Sequence, residues 1–159
     1  MITIRQLNIA RTCRFIRAHA SRGTFVSYRQ ICRHYGFAGL DWPYVGPLLI
    51  RHLDICLRHC QQNKAPLWPL LAVSHSAAKL GAHKPRRLRQ LARGLKMSGD
   101  LGFAKFVQQQ QQNCLRQAQL APPLPKAYIS ENYQRPMRYR LVYGTNCRKT
   151  RFKSPVAKT

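Results

Sequence analysis

The groups this sequence supplies in quantity are cations, and the chemistry open to them is the holding of polyanions. Its 159 residues carry 28 Lys plus Arg against 4 Asp plus Glu, a net charge of +24. Arginine and lysine neutralise phosphates and displace their counterions, which gives strong, salt-sensitive binding. The charge is blocked: residues 1–40 carry +7, residues 79–96 carry +7 and residues 121–159 carry +8. Residues 41–78 and 97–120 carry +1 each and are apolar. A surface built for solubility alone would mix both signs. Arginine dominates the first two basic blocks, and its planar fork suits bidentate contact with phosphate or guanine.

Particular residues stand out as contacts. Arg29 and Arg33 lie in the first block, beside Tyr28. Lys84 precedes Pro85-Arg-Arg-Leu-Arg-Gln-Leu-Ala-Arg93, which reads as a helix whose outer face is Arg86, Arg87, Arg89 and Arg93. Tyr28, Trp42 and Tyr44 lie near these charges in sequence and are candidates to stack on bases or sugars, whereas Trp68 reads as core. The last block contributes Arg148, Lys149, Arg151 and Lys153 as phosphate contacts.

Other chemistry is thinly supplied. The four acids, Asp41, Asp54, Asp100 and Glu131, are widely separated in sequence, so carboxylate pairs are scarce. No phosphate loop, dinucleotide fingerprint, G-x-S-x-G or H-E-x-x-H occurs. The expectation is a protein without catalytic activity or cofactor. His52, Cys56 and Cys60 share a helix face, but the first and third lie about 12 Å apart along the axis, too far to ligate one ion. No C-x-x-C knuckle accompanies them. They read as buried structural residues, with no metal.

The longest apolar stretch, Ala65 to Ala78, is interrupted by Pro66, Pro69 and His75 and is too short for a membrane span. The six scattered cysteines read as reduced thiols. The expected location is the cytoplasm, on the nucleoid or in a nucleoprotein complex. The arginine-rich, acid-free stretch 1–40 also resembles a mitochondrial transit peptide. A basic first helix opening on Met1 is the preferred reading over that and the mitochondrial matrix.

Helical elements must position these groups. Hydrophobic residues at 45% are enough for a core. Residues 5–19 have helical spacing, with Leu7, Ala10, Cys13, Phe15 and Ile16 inward. Ser27 caps a helix reaching Tyr35, with Ile31, Cys32 and Tyr35 inward and Gly36 closing it. Residues 37–45 read as a loop. Gly46-Pro47 opens the next helix, with Leu49, Leu53, Cys56, Leu57 and Cys60 inward and Asp54 spaced to pair with Arg51 or Arg58. Asn63 and Pro66 end it, and residues 70–74 are β-compatible. Residues 85–97 form a basic helix with Leu88, Leu91, Ala92 and Leu95 inward. Asp100 caps a final helix to about residue 119, with Phe103, Val107, Cys114 and Ala118 inward. Ala121-Pro-Pro-Leu-Pro125 then starts a linker. The fold class is mainly α: a winged-helix-like domain over 1–120 with a short β element, then a Pro-containing linker and basic arm over 121–159.

One stretch carries a family resemblance. Val26-Ser-Tyr-Arg-Gln-Ile-Cys32, Gly36, Val45-Gly46 before a helix, Pro66, and the apolar run Leu70 to Val73 resemble the winged helix-turn-helix domain of alkyltransferase-like DNA-repair proteins. The resemblance covers about a third of the chain. It implies that the Tyr28 helix supports a recognition helix beginning at Pro47, with Arg51 and Arg58 exposed toward a DNA groove. The acceptor cysteine of that family follows a proline, whereas Pro66 and Pro69 here are followed by leucines. The arginine before V-G is replaced by Trp42-Pro43-Tyr44. Alkyl transfer is therefore not implied.

The expected partner is nucleic acid, DNA ahead of RNA, within a larger nucleoprotein assembly and without a membrane. The alternative is an RNA-bound structural subunit of a ribonucleoprotein, such as a ribosomal protein or a component of an RNA-guided effector complex.

Overall fold

A computed structural model describes residues 7–37 and 42–121. These form five α-helices: α1 (Ile9–Ala20), α2 (Tyr28–His34), α3 (Trp42–Gln62), α4 (Pro85–Gly94) and α5 (Leu101–Leu120). Two strands, β1 (Val26–Ser27) and β2 (Ala72–Val73), pair in parallel, Val26 with Ala72 and Ser27 with Val73. The protein is mainly helical, as its apolar spacing predicts. The expected basic arm, with Arg148, Lys149, Arg151 and Lys153, falls outside the described residues.

Local chemistry sets most of the helix ends. The Asn8 side chain accepts from the Arg11 N–H at 2.9 Å, so α1 starts at Ile9 rather than residue 5. Ser27 and Gln30 make a reciprocal capping box at α2, and Gly36, at φ 76°, closes the helix in the left-handed conformation. Asp100 caps α5 through the Phe103 N–H at 3.2 Å. Two predicted boundaries are corrected. Helix α3 starts at Trp42, so Trp42 and Tyr44 are helical rather than in a loop and Pro47 sits inside the helix. Pro47 and Pro43 are both exposed, which leaves the carbonyl that Pro47 cannot bond open to water. Leu70 and Leu71 belong to a 3-10 turn (Trp68–Leu71), leaving Ala72–Val73 as strand.

The core has two lobes. One gathers Ile16, Ala20, Val26, Ile31, Tyr35, Leu49, Leu53, Leu71, Cys114 and Ala118 from α1, α2, α3, α5 and the strands, with Trp68 packed against it. The other gathers Leu57, Leu70, Leu91, Ala92, Leu95, Phe103 and Val107. The Trp68–Leu71 turn packs against α1, α3 and α5 and feeds a leucine to each lobe. Ala10, predicted inward, is exposed, and Thr12 is buried in its place.

Thr12 is buried because it belongs to a hydrogen-bonded chain through the first lobe. The Tyr35 hydroxyl donates to the Asn8 carbonyl at 2.9 Å, so Thr12 must donate its proton to Tyr35 at 2.7 Å. Thr12 therefore accepts from His52 at 2.8 Å, which fixes His52 as the Nε2–H tautomer. The Cys56 sulfur lies 3.3 Å from the same nitrogen. His52, Cys56 and Cys60 are thus all buried, and Cys60 lies 3.9 Å from Cys13. Burial raises the Cys114 thiol to about 12, and thiol neighbours together with burial hold Cys13 near the same value. A second polar node sits under the other lobe. Gln111 donates to the carbonyls of Leu70 and Gly81, each at 2.8 Å, and ties the segment before α4 to α5.

Burial pushes the His34, His52 and His83 imidazoles down from 6.5 to about 4, with Arg11 adding to the effect at His34. Each is neutral in the folded chain, while the unfolded chain takes up a proton below pH 6.5. Their contribution is complete above that pH and is lost progressively as pH falls toward 4. The slope is about 1.4 kcal/mol per pH unit for each histidine. Urea titrations across this window should show stability falling with pH, and His52→Gln should reduce the slope by one histidine's share. A pH-independent stability between 7 and 4 would contradict the buried neutral state.

Candidate functional site

The aromatic and cationic candidates meet at the N-terminal end of α3. Gly46 is buried under the Trp42 indole: a Cβ there would lie 2.8 Å from the ring. The glycine one helical turn after Trp42 therefore lets the indole lie against the helix backbone. The Tyr28 ring, carried on α2 directly after β1, stacks beside Trp42 with centroids 6.1 Å apart and planes 15° apart. Tyr28 is buried, whereas Trp42 and Tyr44 are 49% and 53% exposed.

Two cavities share this aromatic pair. One, of about 430 Å³, lies between the first turns of α3 and the start of α4. Trp42, Pro43, Pro47 and Ile50 make its apolar wall, opposite His83, Lys84 and Arg86. The other, of about 630 Å³, is bordered by Arg29, Arg33, His75 and Ser76. Tyr28, Trp42 and Ser74 line both. An aromatic ridge thus has exposed cations on either side, Lys84 and Arg86 at one opening and Arg29 and Arg33 at the other.

The charges of this site are not equivalent. His83 donates Nε2–H to the Leu70 carbonyl at 2.9 Å; burial outweighs that bond and leaves the ring neutral near pH 7. Burial also raises the Tyr28 hydroxyl, with Arg87 acting in the opposite direction. Arg87, expected on the outer face of α4, is turned inward and is 8% exposed. Its Nη2 donates to Asp54 at 2.7 Å. Asp54 is therefore used across α3 and α4, not by Arg51 or Arg58 along its own helix. Arg87 Nε has no acceptor among the described residues. Arg87 is better described as a support for the site, with one carboxylate committed to it.

The remaining candidates among the described residues, Tyr44, Arg51, Arg58, Arg89 and Arg93, are exposed without joining the cavities. Tyr44, Arg51 and Arg58 recur at heptad spacing along α3, and Arg89 and Arg93 follow the cavity-lining Arg86 at helical spacing along α4. Among the arginines of the first block, Arg11 has a structural part. It lies 4.7 Å from the Tyr35 ring centroid and donates to the His34 carbonyl at 3.0 Å. Residues the sequence did not single out include Ser74, His75 and His83, which reach the site from the segment between β2 and α4. Nothing in their local spacing marks them. Comparison with protein-family models, curated proteins and solved structures found no significant match.

Replacing Asp54 by Ala should leave Arg87 buried without its anion and cost about 2–3 kcal/mol in urea unfolding. Substituting both partners, Asp54→Ala with Arg87→Met, should recover most of that loss. A single Asp54→Ala variant as stable as the parent would show that the bridge contributes nothing.

Proposed function

We propose that this protein is a non-catalytic nucleic-acid-binding protein, acting on DNA ahead of RNA through a winged-helix-like domain. The observation that carries the reading is the aromatic ridge of Tyr28 and Trp42 with exposed cations at both cavity openings, in a chain of net charge +24. Phosphates supply the opposite charge, and bases supply faces to stack on. In this reading α2 supports α3, and the exposed Tyr44, Arg51 and Arg58 face the bases. Arg86, Arg89 and Arg93 on α4 hold phosphates, as do the basic residues of 121–159. The order β1, α2, α3, β2 supports the winged-helix reading, and the strand pair is parallel and joins distant segments.

A second reading, an RNA-bound structural subunit within a ribonucleoprotein, is favoured by the +8 carried by 121–159. Such a block suits a segment that threads among phosphates. Crosslinking in cells followed by sequencing of the attached strand separates the two.

Affinity for a DNA duplex should fall steeply between about 50 and 200 mM salt, and a flat response would overturn the proposal. Replacing Arg86, Arg89 and Arg93 together by Gln should weaken binding to every sequence alike. It should reduce the slope of log K against log salt by about 2–3. Tyr44→Ala or Arg51→Gln should instead alter the ranking of sequences; an unchanged ranking would remove α3 as the reading element.

A further inference from the structure

We infer that the two cavities beside Trp42 hold consecutive unpaired nucleotides of a DNA strand, so that the preferred target is DNA with a locally single-stranded stretch. This rests on the nucleic-acid reading above and goes beyond it in naming which form of DNA the site takes.

The geometry gives three reasons. First, the cavities have about 430 and 630 Å³, and volumes of about 300–1,000 Å³ are typical of sites that enclose a small ligand. A base held in a duplex has both faces stacked and its edge paired, so it cannot enter such a recess; an unpaired base can. Second, Tyr28 and Trp42 form the wall common to both recesses. A base in each would lie against the same aromatic pair, which tolerates any sequence because every base has a π-face. Third, the cations are placed for a strand that runs across the ridge. Arg29 and Arg33 stand at one opening and Lys84 and Arg86 at the other, so phosphates flanking the two nucleotides meet positive charge at each end.

The site has a built-in reporter. Trp42 and Trp68 are the two tryptophans of the chain, and Trp68 is packed against the core. In the full chain carrying Trp68→Phe, Trp42 is the sole source of tryptophan fluorescence. The probes are a fully paired DNA duplex, the same duplex with a short unpaired stretch in one strand, that second probe with abasic sites replacing the unpaired bases, and that second probe with ribonucleotides in the unpaired stretch. The unpaired stretch should bind about ten-fold more tightly than the paired duplex and quench Trp42 emission. The abasic probe keeps the phosphates, so it should return to duplex affinity without quenching. Trp42→Ala should remove the ten-fold preference for the unpaired probe, and Trp42→Phe should keep most of it. The abasic comparison leaves the protein unaltered and remains decisive if Trp42→Ala fails to fold. Equal affinity for paired and unpaired probes, or tighter binding of an unpaired RNA stretch than of the DNA one, would overturn this inference and leave nucleic-acid binding standing. Absence of binding to every probe at low salt would overturn both.

Discussion

Scarcity of negative charge is the constraint that shapes this molecule. With 28 basic residues and 4 acids, one-to-one pairing could neutralise no more than four of the cations. Like charges at this density oppose compaction. Cohesion must come from apolar burial and neutral hydrogen bonds, and both core lobes are built that way. Most polar groups that enter the interior are uncharged: the Tyr35–Thr12–His52 chain, Gln111 bridging two carbonyls, and histidines that burial keeps neutral.

The two carboxylates among the described residues, Asp54 and Asp100, are spent inside the fold. Asp100 completes the first turn of α5, and Asp54 holds Arg87 against the junction of α3 and α4. Neither is left to dilute the positive rim of the cavities. Arg87 in turn stands beside the Tyr28 hydroxyl and influences its ionisation. The half-buried pair therefore joins α3 to α4 beside the aromatic ridge, and a charge that looked like a surface contact becomes part of the scaffold beneath one. Fold stability and the form of the site are coupled at this point.

The ridge itself depends on a small residue at a helical spacing. Trp42 begins α3 and Gly46 follows one turn later, so the indole settles on the backbone and meets Tyr28. Proline at 47 suggests a helix start, and that signal misplaces the boundary. An exposed proline is compatible with continuation upstream, because its missing bond falls on the solvent side. The spacing of tryptophan and glycine was present in the sequence, but its meaning required knowing that Tyr28 would lie alongside.

What the sequence by itself determined is local. The capping box of Ser27 with Gln30, the closing Gly36, the Asp100 cap, and the inward stripes of α3, α4 and α5 all follow from residues within a few positions of one another. The blocks of positive charge are likewise a property of the chain. Tertiary structure alone decided which groups met at long range. It paired β1 with β2 in parallel from segments far apart in the chain, and gave Asp54 to Arg87 instead of Arg51 or Arg58. It also buried Thr12 through Tyr35 and His52, and carried Ser74, His75 and His83 to the cavities. Helical periodicity says which face of a segment is turned inward, because that depends on neighbouring residues. It does not say which other segment that face will meet, because that is fixed by how separate elements fill a shared interior.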